Sequence, residues 1–202
     1  MFENENNSLS NLIDQLHRLP GIGRKTAQRL AFYIIKDSIE DAGELANAIL
    51  DVKNKIRYCE QCFNLTESEK CSICNNSSRD KSTICVVEDV VDVIAIEQSN
   101  EYQGIYHVLG GVISPLAGIS PDDLHIKELL DRLQLEEINE ILLAINPSTE
   151  GEATMIYLSK LFKPFNKRIT RIASGVPFGA HLEFIDNATI GRAILSRRDV
   201  EQ

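Results

Sequence analysis

Four cysteines in two closely spaced pairs constrain the fold of this chain more than any other feature of its sequence. Cys59 and Cys62 form one Cys-x-x-Cys pair, and Cys71 and Cys74 form a second one after eight intervening residues. Four thiolates at this spacing are the ligand set of a closed tetrahedral zinc site, which leaves no position for a reactive water. We therefore predict one structural Zn²⁺ per chain, in preference to disulfides, redox-active dithiols or cysteines that only pack.

A predicted helical hairpin precedes the cysteines. Apolar residues at three- and four-residue spacing predict a helix over residues 9–19, which the glycine-containing turn through Gly21 and Gly23 ends. A second helix follows this turn, and a third is predicted from 38 to 55. A dinucleotide-binding role for the two glycines is disfavoured, because a helix and not a strand comes before them.

Cations surround this turn although the chain as a whole is acidic. The net charge is −9, yet residues 15–36 contain no acid and carry Arg24, Lys25 and Arg29 at the start of the second helix. Backbone N–H groups at a helix start can bind a phosphate oxygen, and nearby cations add attraction that is independent of base sequence. We predict DNA binding here; a hairpin that contacts only protein is the alternative.

The pattern changes from Thr83 onward, where short β-branched runs alternate with amphipathic segments. Such alternation predicts a mostly parallel sheet with helices on both faces. The preceding residues 75–82 are predicted to be a polar linker. Strands are predicted at 83–87, 104–108, 138–145 and 168–173, and helices at 90–97, from Ser120 onward and at 153–162, with a loop at 146–152.

In this order the three parts resemble the bacterial RecR family of recombination mediators. The hairpin is similar to the helix-hairpin-helix motif of DNA-repair proteins, and the α/β part is similar to the Toprim domain of topoisomerases and primases. The resemblance spans essentially residues 8–200. It is strongest in the segments LPGIGRKTAQRL (19–30), YHVLGGVISP (106–115), TEGEAT (149–154) and SGVPFGAHLEF (174–184).

The resemblance implies a multi-part α/β protein with four regions. A helical domain with the helix-hairpin-helix motif covers 1–56, and a zinc finger with four cysteine ligands covers 57–76. A Toprim-like, mostly parallel α/β domain covers 82–177, and a C-terminal strand and helical tail used in assembly covers 178–202.

The resemblance also implies a function. RecR proteins form rings, usually tetrameric, around double- or single-stranded DNA, and act with RecO, and in many bacteria RecF, to load RecA at single-stranded gaps. Lys25 and Arg29 match basic residues of the family's hairpin that face DNA inside the ring. We expect a cytoplasmic, nucleoid-associated protein.

One departure from active Toprim enzymes argues against catalysis. Those enzymes hold Mg²⁺ with a glutamate after the first strand and an Asp-x-Asp pair after a later one. Glu88 occupies the first place, but Asn146 and Ser148 occupy the others and offer only neutral oxygens. We therefore predict no catalytic residues, over the alternative of a Toprim nuclease or primase. Glu88, Glu150 and Glu152 instead predict an acidic crevice for a basic partner, with RecO as the candidate.

Two further features are assigned modest roles. His107 follows strand residues and is predicted to be a hydrogen-bonded core or loop histidine and not a metal ligand. The stretch 160–171 carries five cations and no acid, which makes it a second candidate surface for DNA or for subunit contact.

Overall fold

The computed structural model describes residues 8–135 and 137–197, and the chain divides into two compact units, with Ile56 ending the first and Arg57 beginning the second. The first unit is helical: α1 (Ser8–His17), α2 (Arg24–Lys36) and α3 (Ile39–Lys55). Helices α1 and α2 contact each other, and Ala27 and Ala31 are the buried side chains of α2. Ser38 is the N-cap of α3, and its side chain accepts from Asp41 N at 3.0 Å. None of the residues of α3 is buried.

The second unit begins with the cysteine-rich segment. Strands β1 (Arg57–Tyr58) and β2 (Leu65–Thr66) pair antiparallel, and the four-residue helix α4 (Ser72–Asn75) follows them. The α/β domain then runs through β3 (Asp80–Val87), α5 (Val90–Ser99), β4 (Gly104–Val108), α6 (Ile126–Leu135), β5 (Glu140–Ala144), α7 (Thr149–Phe162), β6 (Arg168–Arg171) and α8 (Asn187–Leu195). Its four strands are all parallel, in the order β4-β3-β5-β6.

Successive side chains of the central strand β3 point to opposite faces of the sheet, and each face has its own apolar core. Ile84 and Val86 point to a core that includes residues of α6 and α7, among them Leu129 and Phe162. Cys85 and Val87 point to the opposite face, where they pack with Val90 and Val93 of α5 and with Phe63 and Ile73 of the cysteine-rich segment. The sequence prediction of a parallel sheet covered on both faces is confirmed, and the cysteine-rich segment supplies part of that cover.

Two predicted boundaries, at the start of the first strand and before α6, are wrong. The first strand begins at Asp80, inside the predicted linker, because Asp80 N donates to Gln103 O at 2.9 Å and its carboxylate accepts from Ser82. The helix predicted from Ser120 is first a 3-10 turn, Pro121–Asp123. Leu124 then turns into the core in an extended conformation, so that α6 starts only at Ile126.

A third boundary affects the candidate site. Helix α7 begins at Thr149 and not at 153, because Ser148 serves as its N-cap and accepts from Gly151 N at 3.0 Å. Glu150 and Glu152 therefore lie on the first turn of a helix and not in the predicted loop.

Candidate zinc centre and nucleic-acid interface

The four cysteines of the two pairs converge on one point. Their Sγ atoms all lie within 4.8 Å of one another, and those of Cys62 and Cys71 are 3.5 Å apart. Zn–S bonds of about 2.3 Å in a tetrahedron place sulfurs about 3.8 Å from each other, so the cluster fits a zinc ion. Three of the four side chains are buried, which matches a closed structural site. Cys59, Cys62, Cys71 and Cys74 would hold the metal, and no position remains for catalysis.

The backbone around each pair directs N–H groups at the sulfurs. Cys71 N donates to Cys59 Sγ at 3.3 Å, and Cys74 N donates to Cys71 Sγ at 3.5 Å. Such bonds stabilise negative charge on thiolates that share one cation. Cys71 is also the N-cap of the short helix α4, which the cysteine spacing alone did not reveal.

Hydrogen bonds among the closely packed thiols shift the pKa values of Cys62 and Cys71 in opposite directions. Hydrogen bonds from Cys62 and Cys74 lower the pKa of Cys71. The pKa of Cys62 is raised by its hydrogen bonds to Cys71 and Cys74 and by burial. Four thiolates this close repel one another, and a divalent cation removes that conflict. Cys85 differs, because burial inside β3 raises the pKa of its thiol to about 12 and keeps it a neutral core residue.

The cysteine-rich segment is fixed to the edge of the sheet through Cys62 and the residue after it. Val108 N of β4 donates to Cys62 O at 2.8 Å. Phe63 adopts a left-handed conformation, with φ 63°, and stacks on His125 with ring centroids 3.7 Å apart. A bulky residue in this region is uncommon, and here it turns the ring towards the α/β domain. Sequence patterns gave no signal for this contact.

His107 lies beneath that stack as a fully buried, hydrogen-bonded histidine, as predicted. Its Nε2–H donates to His125 O at 2.7 Å, which leaves Nδ1 as an acceptor facing Arg132 Nη1 at 3.4 Å. Burial, together with the Arg132 charge, lowers the pKa of His107 to about 3, so the ring is neutral near pH 7.

The turn between α1 and α2 exposes the start of α2. Gly21 has φ 78°, which only glycine adopts without strain, and Ile22 N donates to Leu19 O at 3.1 Å. Gly23 is different: its φ is −74°, and a Cβ there would meet no atom within 4 Å. The fold itself does not require glycine at this N-cap. No side chain caps the helix, so its first N–H groups are open to an external acceptor.

Cations stand around this open helix start. Arg24, Lys25 and Arg29 are all exposed on α2. Within the described residues neither Lys25 nor Arg29 forms an ion pair with an acid. The geometry brings together backbone donors and two uncompensated positive charges on one helix turn.

At the carboxyl ends of the strands, the three Toprim-related positions are used within the protein. Asn146 Nδ2 donates to Glu88 Oε2 at 2.9 Å, and Ser148 caps α7. A Cβ on Gly151 would lie 2.0 Å from Asn146 O, so this glycine permits the tight turn from β5 into α7.

The predicted acidic crevice is partly neutralised. Arg171 donates two hydrogen bonds to Glu152, at 2.8 and 3.1 Å, and Arg192 lies 3.6 Å from the same carboxylate. These bonds, from Arg171 above all, lower the pKa of Glu152. The sequence did not reveal that these two arginines pair with Glu152, because they come from other elements, β6 and α8.

Comparison with known protein families matches four consecutive parts of the chain. Residues 9–53 match the RecR helix-hairpin-helix, and 56–76 match the RecR zinc finger domain with four cysteines. Residues 82–173 match the Toprim domain, and 175–198 match the RecR C-terminal region.

Similar full-length relatives carry the same name. The recombination protein RecR of Myxococcus xanthus is 51% identical over 192 residues, which cover 95% of this chain and 98% of the relative. That of Chloroherpeton thalassium is 51% identical over 96% of this chain and 97% of its own length. That of Streptomyces coelicolor is 50% identical over 94% of this chain and 96% of its own length. The chain belongs to the RecR family.

Membership of the RecR family confirms several sequence predictions. The helix-hairpin-helix, the four-cysteine finger and the Toprim-like α/β domain follow one another as expected, and the four cysteines form a structural zinc centre. The family places the protein in recombination repair. Among the described helices, none has the length and apolar character needed to cross a membrane.

Proposed function

We propose that this RecR-family protein is a non-enzymatic, DNA-binding recombination mediator. It encircles double- or single-stranded DNA as a homotetrameric ring and acts with RecO, and with RecF where that protein is present, to promote RecA loading at single-stranded gaps. We place it in the cytoplasm in association with the nucleoid. The observation that carries the proposal is the uncapped start of α2, with Gly23 at the N-cap and Lys25 and Arg29 beside it without acidic partners among the described residues.

Gly23 supports DNA binding because it leaves the first N–H groups of α2 without a side-chain acceptor. Ser, Thr, Asp and Asn, which like Gly are favoured at an N-cap, would satisfy those groups with their own side chains. The space at residue 23 is open, since a Cβ there would meet no atom within 4 Å. A phosphate bound there is also close to Lys25 and Arg29, and such contacts hold DNA without selecting a sequence.

The helical unit supports self-association. Helix α3 buries none of its residues, and many large apolar side chains of this unit are about half exposed or more. Large apolar side chains exposed in this number favour a protein interface, and identical subunits most often supply one. The exposed set is Leu19, Phe32, Tyr33, Ile35, Ile39, Leu45, Ile49, Leu50 and Val52.

The Toprim-related positions support a role without catalysis. Glu88 is hydrogen-bonded to the Asn146 amide, and Ser148 is occupied as a helix cap. Mg²⁺ is usually bound through carboxylates, and only Glu88 of these three positions supplies one. Glu88, Glu150 and Glu152 are proposed to bind a basic surface of RecO, with Glu150 contributing more than Glu152, whose charge is offset by Arg171.

A salt titration of DNA binding tests the proposal. The log of affinity falls with log salt by about 0.9 per phosphate contacted on duplex DNA. Each hairpin that loses Lys25 and Arg29 should therefore lower the slope by about 1.8. We expect the Lys25→Ala/Arg29→Ala protein to bind weakly with a flattened slope, while sedimentation shows unchanged assembly.

Two further variants sharpen this test. Gly23→Ser should weaken DNA binding without lowering the melting temperature, because serine caps the helix but blocks the phosphate position. Lys163→Ala/Lys167→Ala removes the same charge from the other basic stretch and should retain the wild-type slope. If this control loses binding and the hairpin variants do not, the DNA surface lies in 160–171 and the hairpin assignment is wrong.

A further inference from the structure

The loop after β4 presents an unusual run of apolar residues to solvent. Pro115, Leu116, Ala117 and Gly118 are consecutive and all exposed, and Leu116 is 98% exposed. Exposed loop tips are normally polar, and a run of three or more exposed apolar residues has a cost in solubility that is explained by a binding role. Leu116 therefore differs from a single apolar residue scattered on a surface.

The loop is held rigidly at its base. Ser114 and Ile119 form a bridge, with Ser114 N donating to Ile119 O at 3.0 Å and Ile119 N donating back at 2.9 Å. Val112, Ile113 and Ile119 pack against the main core of the α/β domain. The tip is thus fixed before any partner arrives, so that little conformational entropy is lost on binding.

Hydrogen bonds connect this loop to the start of α7. Ile113 N donates to Thr154 Oγ1 at 3.0 Å, and Thr154 Oγ1 donates to Glu150 O at 2.7 Å. The loops after parallel strands gather at the same edge of the sheet, where Glu88 also lies. The base of the Leu116 loop is therefore joined to the first turn of α7, which carries Glu150, at this edge of the sheet.

Several carboxylates lie at that edge. Glu88 and Asp89 directly follow β3, and Glu150 lies on the first turn of α7. Glu152 adds less negative charge, because Arg171 pairs with it. Asp122 and Asp123, which follow the loop, are exposed, as is most of the turn around them. An apolar tip beside carboxylates complements an apolar pocket rimmed by cations.

We infer that the loop 112–119 is the apolar anchor of the surface that binds RecO, with Leu116 inserting into a pocket on RecO and Glu150 and Asp122 contacting its basic rim. The inference rests on the proposed function, because it takes RecO as the basic partner. It adds an anchor that the acidic residues alone do not supply. Charged contacts at the rim of an interface set the rate and the salt dependence of association, whereas a desolvated side chain at its centre sets the lifetime of the complex.

Isothermal titration of the full-length protein with RecO from the same organism, at two salt concentrations, tests this anchor. Leu116→Ser should weaken binding at least tenfold and leave the salt dependence unchanged. Glu150→Lys should weaken binding and reduce its salt dependence. Ile156→Ser, which replaces another exposed apolar residue of this domain two turns into α7, is the matched control and should bind like wild type. Melting temperatures of the surface variants should match that of the unmodified protein.

The outcomes separate the two ideas. Unmodified protein that does not bind RecO overturns the proposed partnership and this inference with it. Equal RecO binding by wild type and Leu116→Ser, with weakened binding by Glu150→Lys, overturns the apolar anchor alone. A change in oligomeric state caused by Leu116→Ser would show that a second copy of this chain covers the loop, and would also overturn the inference.

Discussion

Replacing Gly151 by alanine should destabilise the α/β domain at the turn that positions Asn146. The added Cβ would lie 2.0 Å from Asn146 O, whereas ordinary contacts are 3.4 Å or longer. The carbonyl must therefore move by more than 1 Å, roughly the kind of overpacking that costs about 1–3 kcal/mol. This movement also strains the hydrogen bonds from Ser148 N to Asn146 O, at 2.8 Å, and from the Asn146 amide to Glu88.

The net loss should be about 1–3.5 kcal/mol, because a strained hydrogen bond adds about 1 kcal/mol to the overpacking cost and the helix gains about 0.5–1 kcal/mol from alanine. For a chain of this length that corresponds to a melting temperature lower by about 2–14 °C. Gly191→Ala in α8 is the matched control, since a Cβ there meets no atom within 4 Å. It should raise the melting temperature by about 1–4 °C.

Differential scanning calorimetry of the two variants beside wild type gives the comparison. Opposite shifts for the same substitution would establish that the turn from β5 into α7 requires a residue without a side chain. A Gly151→Ala protein that melts with wild type would refute the reasoning, and so would equal losses in both variants.

Two further perturbations address the zinc centre and the buried histidine. Cys62→Ser should abolish zinc binding and unfold the finger, since structural zinc supplies roughly 10–16 kcal/mol of binding free energy in small domains. Elemental analysis should find one zinc per chain in the control Cys85→Ala and none in Cys62→Ser. Zinc retained by Cys62→Ser would contradict the proposed set of four cysteine ligands. His107 is neutral when folded, with its pKa lowered to about 3 by burial, but protonates near 6.5 when unfolded. Its stabilising contribution is therefore complete above pH 6.5 and is lost as pH falls towards 3, by about 1.4 kcal/mol per pH unit at most. His107→Gln should lose less stability than wild type between pH 6.5 and 4 in urea titrations, and parallel losses would argue against this assignment.

Short-range patterns were sufficient for much of the fold. The four cysteines predicted the zinc centre because ligand spacing within a turn is a local property. The alternation of apolar strands and amphipathic helices predicted the parallel sheet for the same reason. Boundaries failed where a distant group decided them: Asp80 joins β3 because Gln103 accepts its N–H, and Leu124 interrupts the predicted helix because it reaches the core.

The candidate sites divide in the same way. That Lys25 and Arg29 lie one turn apart on one helix could be predicted from the sequence, whereas their role in DNA binding stays a prediction. The partners of Glu152 could not, because Arg171 and Arg192 come from separate elements. The stack of Phe63 on His125 joins residues 62 positions apart and depends on an unusual backbone conformation at Phe63.

RecA assembly on gapped DNA coated with single-strand binding protein tests the central claim most directly. The proposed function predicts that this protein and RecO together accelerate RecA filament formation, that Lys25→Ala/Arg29→Ala removes the acceleration, and that the DNA stays intact in Mg²⁺. The claim would be contradicted by an unchanged RecA rate in the presence of both proteins, or by Mg²⁺-dependent DNA cleavage that disappears in Glu88→Ala.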